Sequence, residues 1–400
     1  MNKVLLLVLD GLADRPNASL SGMTCLEKAK TPFLDRFARE GACGLVRPFF
    51  KKGSFPTSED THFTLFGYDA NEYQVGRGVF EALGMDIDLG PEDVAWRGNW
   101  ATLDKSGRII DRRAGRLPAT QELISEIEEL TIENVNFHVY PGKEHRLALV
   151  LRGEGLSGKL SDGYRRESGV LPPLISPLDK SKEAEFTARV TNAYLKKIKL
   201  ILKDNPTNIQ RIRQELPTAD YILLRGSGCL KDIPPFKDKF GWSAACVAAG
   251  HLYRGIAKSL GFQIIDVPGA DATPETNLIG KIDASLQALA QKDFVFCHIK
   301  ATDILSHDRD CLGKAGFLER IDQSLRDVFE TSDLTLIVTG DHATPCELGE
   351  HSEDLIPILV WGDKIQRDLV GRFGESFCAN GSLGIMDQVD VLRKIKKMIE

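Results

Sequence analysis

The chain lacks any apolar run near the roughly 20 residues a helix needs to cross a bilayer, so a soluble protein without a membrane partner is expected. It also lacks positive charge in excess. Its 51 Lys and Arg against 57 Asp and Glu leave a formal charge of -6, which gives no global attraction for a phosphodiester backbone. Nucleic acid is therefore not the expected partner, and any anion site must be local. There is no internal repeat and no low-complexity tract. The eight cysteines (Cys25, Cys43, Cys229, Cys246, Cys297, Cys311, Cys346 and Cys378) stand singly, without the paired spacings of structural zinc or the density of a disulfide scaffold. A reducing cytoplasm is the expected compartment. The start, MNKVLLLVLDGLAD, carries an apolar run of about six residues ending in an acid. That is too short for a signal peptide and reads as a buried strand.

What the chain does have is bulk: 400 residues at 42% hydrophobic, more than one compact core usually holds, so two lobes are expected. Six short continuous apolar runs suit strands buried on both faces: VLLLVL (4–9), YILLRG (221–226), FQIIDV (262–267), FVFCHIK (294–300), LTLIVTG (334–340) and LIPILVWG (355–362). Helical patterns lie between them, such as ACVAAGHLYRGIAKSLG and the segment from about Leu312 to Glu330. The alternation predicts an α/β core with a doubly wound, mainly parallel sheet. Residues 71–178 have another texture, with short alternating runs (VAWRGNWATL, RLALVLRG) broken by Gly, Pro and charge, and predict a smaller inserted α+β domain. The long helical pattern in LISPLDKSKEAEFTARVTNAYLKKIKLIL then reads as the return to the core, giving a core of 1–70 and 179–400.

Asp and His residues gather at the C-terminal ends of these strands, where open parallel sheets place ligands. Asp10 ends the first. Asp303 and His307 follow FVFCHIK, four residues apart and so on one side of a helical turn; Asp341 and His342 follow LTLIVTG, with His351 nine residues later. An Asp at a strand end often caps the next helix, and a lone His is usually structural, so the argument rests on their coincidence. Mixed carboxylate and imidazole donors suit manganese, zinc or related divalent ions, and a pair of such ions can clamp both oxygens of a phosphoryl transfer. A nucleophile is offered by KKGSFPTSEDTHFTLFGYD, in which Ser54, Thr57, Ser58, Thr61 and Thr64 all qualify. Ser58 also fits as the N-cap of a helix with Glu59 and Asp60 in its first turn.

Along nearly the whole length run VLDGLADRP, LEKAKTPFLDRFAREG, SEDTHFTLFGYD, GRGVFEALGMDIDLGPEDVAWRGNWATL, GRIIDRRAGR, HRLALVLRGEGLS, YILLRGSG, YRGIAKSLG, VPGADATPETN, HIKATDILSHDRD and TGDHATPCELGEHSEDLIPIL. In this order they resemble the archaeal-type branch of the cofactor-independent phosphoglycerate mutases, within the alkaline phosphatase superfamily. The resemblance implies a metal-binding phosphotransferase core, a mobile inserted substrate-binding domain, and interconversion of 2- and 3-phosphoglycerate through a phosphoserine. It implies two divalent ions, manganese foremost, with zinc, cobalt or magnesium as alternatives. One would be held by Asp303, His307 and His351, the other by Asp10, Asp341, His342 and the oxygen of Ser58. The serine is placed by its spacing to His62, which supports the ligands from behind or is structural. Arginines suit a phosphate and a carboxylate, and Arg97, Arg112, Arg113, Arg146 and Arg225, with Lys300 near the metals, stand at matching motif positions.

The chain departs from the family in two places. TSEDTH replaces a usual Gly-Ser-Asp-Thr-Ala-His, and LSDGYRRESG keeps Ser161 and Asp162 but has no Asp-Pro-His; Arg165 and Arg166 are the residues available to replace that histidine. Since specificity resides in the site and not the fold, a phosphatase or a phosphotransferase on another small phosphorylated metabolite is the alternative. A non-catalytic metabolite-binding descendant is the remaining one.

Overall fold

The computed structural model describes residues 3–117 and 121–400. They form two compact units, one of residues 1–73 with 233–400 and the other of residues 74–232.

The first unit is built on an eight-stranded sheet in the order Gln263–Ile264, Ala244–Val247, Phe294–Ile299, Lys3–Leu9, Leu334–Thr339, Ile356–Trp361, Ala42–Arg47, Gly384–Asp387. Lys3–Leu9 is buried at six of its seven positions and pairs in parallel with Phe294–Ile299 and Leu334–Thr339. Each fully buried leucine in such a strand stabilises the fold by roughly 1.5–3 kcal/mol, so the continuous apolar run selects this central place. The three strands end together, which puts Asp10, the segment after Ile299 and the segment after Thr339 at one edge. The expected mainly parallel α/β core is present.

Two readings need correction here. LIPILVWG runs antiparallel to both its neighbours. No crossover helix separates it from Leu334–Thr339, so the chain folds straight back, and that connection carries Asp341, His342 and His351. In ACVAAGHLYRGIAKSLG, the first residues form strand Ala244–Val247 and the helix begins only at His251. Small buried residues next to a sheet edge fit a strand as well as a helix, and backbone pairing with Phe294–Ile299 decides.

The second unit holds the sheet Ile109–Asp111, Val94–Leu103, Arg146–Arg152, Val135–Pro141, Glu129–Ile132, with Tyr221–Gly228 also paired to Val94–Leu103. YILLRG is therefore not a core strand, and the inserted unit continues well past residue 178. Helix Lys182–Lys203 belongs here too. Ser181 caps it by accepting from the Ala184 amide, and Glu183 and Glu185 sit in its first turn, where they meet the positive end of the helix dipole. Its buried stripe, including Tyr194, Leu195 and Ile198, packs with Trp96 and Phe137, and the Tyr194 and Phe137 rings stack at 4.3 Å. An apolar stripe states that a segment is covered, not by which sheet, and that is why the sequence boundary fell short.

Candidate functional site: a carboxylate and imidazole centre

All the expected ligands converge in the first unit. Asp10 and Asp341 are buried completely and Asp303 nearly so. Burial pushes the Asp10 carboxyl up, but Lys300, His298 and His342 outweigh it and hold it well below the usual carboxylate range. The backbone makes room for this crowding at Gly11, whose φ of +63° suits glycine. A Cβ there would stand 2.6 Å from Thr344 Oγ1 and 2.8 Å from Asp303 Oδ1.

The imidazoles disclose what the site is for. His351 Nδ1 lies 2.8 Å from the Pro56 carbonyl and His307 Nδ1 lies 2.7 Å from the Gly349 carbonyl. A carbonyl only accepts, so both Nδ1 atoms carry a proton, and in the neutral ring Nε2 presents a lone pair. The Thr344 hydroxyl donates to Asp303 Oδ1 at 2.8 Å and so accepts from His342 Nδ1 at 3.1 Å, which fixes the same tautomer in the third ring. The three free Nε2 atoms then face carboxylate oxygens: His307 to Asp303 at 3.5 Å, His351 to Asp303 at 3.6 Å, and His342 to Asp341 at 3.1 Å and Asp10 at 3.6 Å. Lone pair facing carboxylate is unfavourable unless a proton or a metal cation stands between them. The donor set therefore fits divalent cations, and one atom from each of Asp303, His342 and His351, or of Asp10, Asp341 and His342, lies within 4.8 Å of the others.

Helix Ser58–Leu65 brings the hydroxyl. Thr57, not Ser58, is its N-cap, accepting from the Asp60 amide. That correction frees Ser58 Oγ, which lies 3.3 Å from His342 Nε2. His62, one turn on, directs Nδ1 at the Ser58 carbonyl at 2.8 Å and at Asp341 Oδ2 at 3.2 Å, so it braces a ligand from behind.

Lys300 lies among the carboxylates of the first unit. Its ammonium reaches Asp10 Oδ1 at 2.9 Å and Asp303 Oδ2 at 2.6 Å and links the two carboxylate groups. The five arginines share a cluster of their own in the second unit. Arg97 and Arg225 are partners across adjacent strands. Arg146 stands opposite Asn99. Arg112 donates to the Tyr164 hydroxyl at 3.1 Å, and the Tyr164 ring lies 5.2 Å from the Arg225 guanidinium. Arg113 feels Arg112 and Arg146. The Arg97 guanidinium is buried, with Glu81 3.5 Å away. Burial, Arg77, Arg225 and Arg146 all disfavour its charge while Glu81 favours it, yet a guanidinium does not give up its proton. Such a cluster has the charge and planar donors that suit an anion.

A family model described as 2,3-bisphosphoglycerate-independent phosphoglycerate mutase matches residues 38–208. The chain is 42% identical to the mutase of that name, numbered 1, from Methanocaldococcus jannaschii, over 95% of this chain and 93% of the relative. It is 41% identical to the one from Thermoplasma volcanium, over 100% and 97%. The chain belongs to the cofactor-independent phosphoglycerate mutase family. The solved structure of such a mutase from Thermoplasma acidophilum superposes with a TM-score of 0.72 at 33% identity, covering 100% of both chains. A Pyrococcus horikoshii protein does so with a TM-score of 0.86 at 31% identity, covering 100% of this chain and 97% of that one.

Around the candidate ligands of this mutase fold lie residues whose place the sequence did not assign. His298 Nε2 is 2.9 Å from Asp10 Oδ2, and Thr344 ties His342 to Asp303. Thr61 Oγ1 is 3.3 Å from Asp341 Oδ2, and the Gly11 amide donates to Asp341 Oδ1 at 3.0 Å. Arg77, in GRGVFEALG, joins the arginine cluster. His298 had a legible signal, being the one imidazole inside a wholly buried strand, where a polar group needs a partner. Thr61 stood in the sequence only as a candidate hydroxyl, and Thr344 and Arg77 carried no signal.

Proposed function

We propose that this chain interconverts 2-phosphoglycerate and 3-phosphoglycerate through a phosphoserine at Ser58, with two divalent ions, manganese foremost. One ion is assigned to Asp303, His307 and His351, the other to Asp10, Asp341, His342 and the Ser58 oxygen. When bound, the ions supply Lewis acidity that offsets charge on the phosphoryl oxygens and favours the serine alkoxide. The observation that carries this reading is the common tautomer of His307, His342 and His351, which turns three Nε2 lone pairs onto the carboxylates beside Ser58.

Ser58 Oγ attacks phosphorus in line, and the bond to the glycerate oxygen breaks as the serine ester forms. The helix that starts at Ser58 holds the phosphorylated side chain at its N-terminus, where backbone amides and the helix dipole favour the anion. The freed glycerate then presents its other hydroxyl to the phosphoserine, and the ester is returned to carbon two or three. Arg97, Arg112, Arg113, Arg146 and Arg225 are assigned to hold the substrate's anionic groups, which makes the second unit the substrate-binding domain. The eight cysteines are free thiols, and no helix among the described residues is long and apolar enough to cross a membrane; the cytoplasm is the proposed compartment.

The test is to supply the manganese-loaded protein with 3-phosphoglycerate and follow both 2-phosphoglycerate and inorganic phosphate. Accumulation of 2-phosphoglycerate without phosphate is expected. Phosphate release alone would make the chain a phosphatase, and inertness would point to another phosphorylated metabolite, read by the loop in which Tyr164 meets Arg112 and Arg225.

A further inference from the structure

Beyond the phosphotransfer centre the fold gathers three cysteines that are far apart in sequence. The Sγ atoms of Cys25, Cys311 and Cys346 lie within 4.8 Å of one another, and Cys25 and Cys346 are 3.7 Å apart. Their isolation in the sequence argued against a zinc site, and the tertiary structure removes that argument. We propose that Cys25, Cys311 and Cys346 form a thiolate site for a thiophilic d10 cation, zinc foremost, that nothing in the phosphotransfer chemistry requires.

Three observations carry it. Sulfurs about 2.3 Å from a tetrahedral zinc stand about 3.8 Å from each other, which is the Cys25 to Cys346 separation, whereas a disulfide would need about 2.05 Å. The Cys346 sulfur and burial push the Cys25 thiol up, and burial pushes the Cys311 thiol up, so a cation must displace their protons; three contacts favour the thiolate. The Asn17 side-chain amide lies 3.4 Å from Cys311 Sγ and donates to it, Cys311 is the first residue of the fourteen-residue helix Cys311–Ser324, and the buried Lys314 ammonium lies close enough to feel Cys25 and Cys346. A helix N-terminus and a nearby ammonium both favour the deprotonated sulfur. Finally, Asp14 cannot compete as a ligand without losing its own bonds. Its Oδ1 accepts from the amides of Arg15 and Cys346 and its Oδ2 from Lys314.

Binding replaces three S–H protons, released to solvent, by three metal–sulfur bonds, with no change in oxidation state. It joins helix Cys25–Lys28, helix Cys311–Ser324 and the turn that begins at Cys346. Two residues before Cys346 stands Thr344, whose hydroxyl orients His342 and Asp303. The ion would thus fix a wall of the phosphotransfer centre without touching substrate.

The experiment uses the full-length, reduced protein stripped with chelator and titrated with cobalt(II). A thiolate-to-cobalt charge-transfer band in the near ultraviolet is expected to saturate at one ion per chain and to bleach on adding zinc. Carboxylate and imidazole ligands give no such band, so cobalt taken up by the phosphotransfer centre adds nothing to it, and the stoichiometry is read from the band intensity per chain. Cys311→Ser and Cys346→Ser should each weaken cobalt binding more than tenfold, and Cys229→Ser, in the other unit, should leave it unchanged. A second measurement needs no variant: zinc should protect Cys25, Cys311 and Cys346 from alkylation, mapped by mass spectrometry. Absence of the band in the native chain, its survival in both variants, or alkylation of the three thiols at equal rates with and without zinc would each overturn the proposal.

Discussion

His298 Nε2 lies 2.9 Å from Asp10 Oδ2, and both side chains are sealed from solvent. Burial, against the pull of Asp10, brings the His298 imidazole down to about 4, so the ring is neutral and its Nε2–H donates. Asp10 is thereby held in place with Oδ1 turned toward His342. His298→Phe should keep the fold, since Tyr253 already stacks on the ring at 3.6 Å, but should lower affinity for the activating ion about 10- to 100-fold, the usual cost of losing a ligand's orienting partner. Metal titration of turnover measures it. An unchanged half-saturating concentration would show that the bond is structural only.

Ser58→Ala should abolish isomerisation, by at least about a thousandfold, while metal content is retained. The mutation leaves the Thr57 cap and the carboxylates in place, so loss of fold is not the expected cause. Brief exposure of the native protein to substrate followed by acid quench should leave phosphate on Ser58. Finding it instead on Thr57, Thr61 or Thr64 would relocate the nucleophile.

Arg97→Met should raise KM for phosphoglycerate about 10- to 100-fold, the effect of one charge-assisted bond to an anion, with the response to metal unaltered. Arg97→Lys should recover only part of it, because an ammonium does not reproduce the planar fork. If both variants kept a native KM, the anion would be held elsewhere.

His145 is buried near Arg146, Arg113, Arg97 and Arg116, and burial together with those charges pushes its imidazole down to about 3. The folded value lies below the unfolded one near 6.5. The stability His145 contributes is therefore fully present above pH 6.5 and is lost as pH falls through that value toward 3, by at most about 1.4 kcal/mol per pH unit. Melting temperature measured against pH should fall less steeply in that window for His145→Gln than for the native chain. Identical slopes would mean that another group dominates acid unfolding.

The sequence by itself determined the chemistry of the first unit. Continuous apolar runs read as buried strands, and parallel strands end at one edge, so Asp10, Asp303, His307, Asp341, His342 and His351 were expected to gather there. Local spacing also put Asp303 and His307 on one turn of helix Ala301–His307. The tertiary structure alone decided which sheet each covered segment joined, because apolar pattern encodes burial and not the identity of the neighbour. For that reason Tyr221–Gly228 and Lys182–Lys203 were misplaced. It alone decided the tautomers, since the Pro56, Gly349 and Thr344 oxygens that fix them lie far along the chain or in irregular turns. It likewise brought Cys25, Cys311 and Cys346 together. Side chains whose function lies in what they touch leave no periodic trace, and only the folded chain supplies the partner.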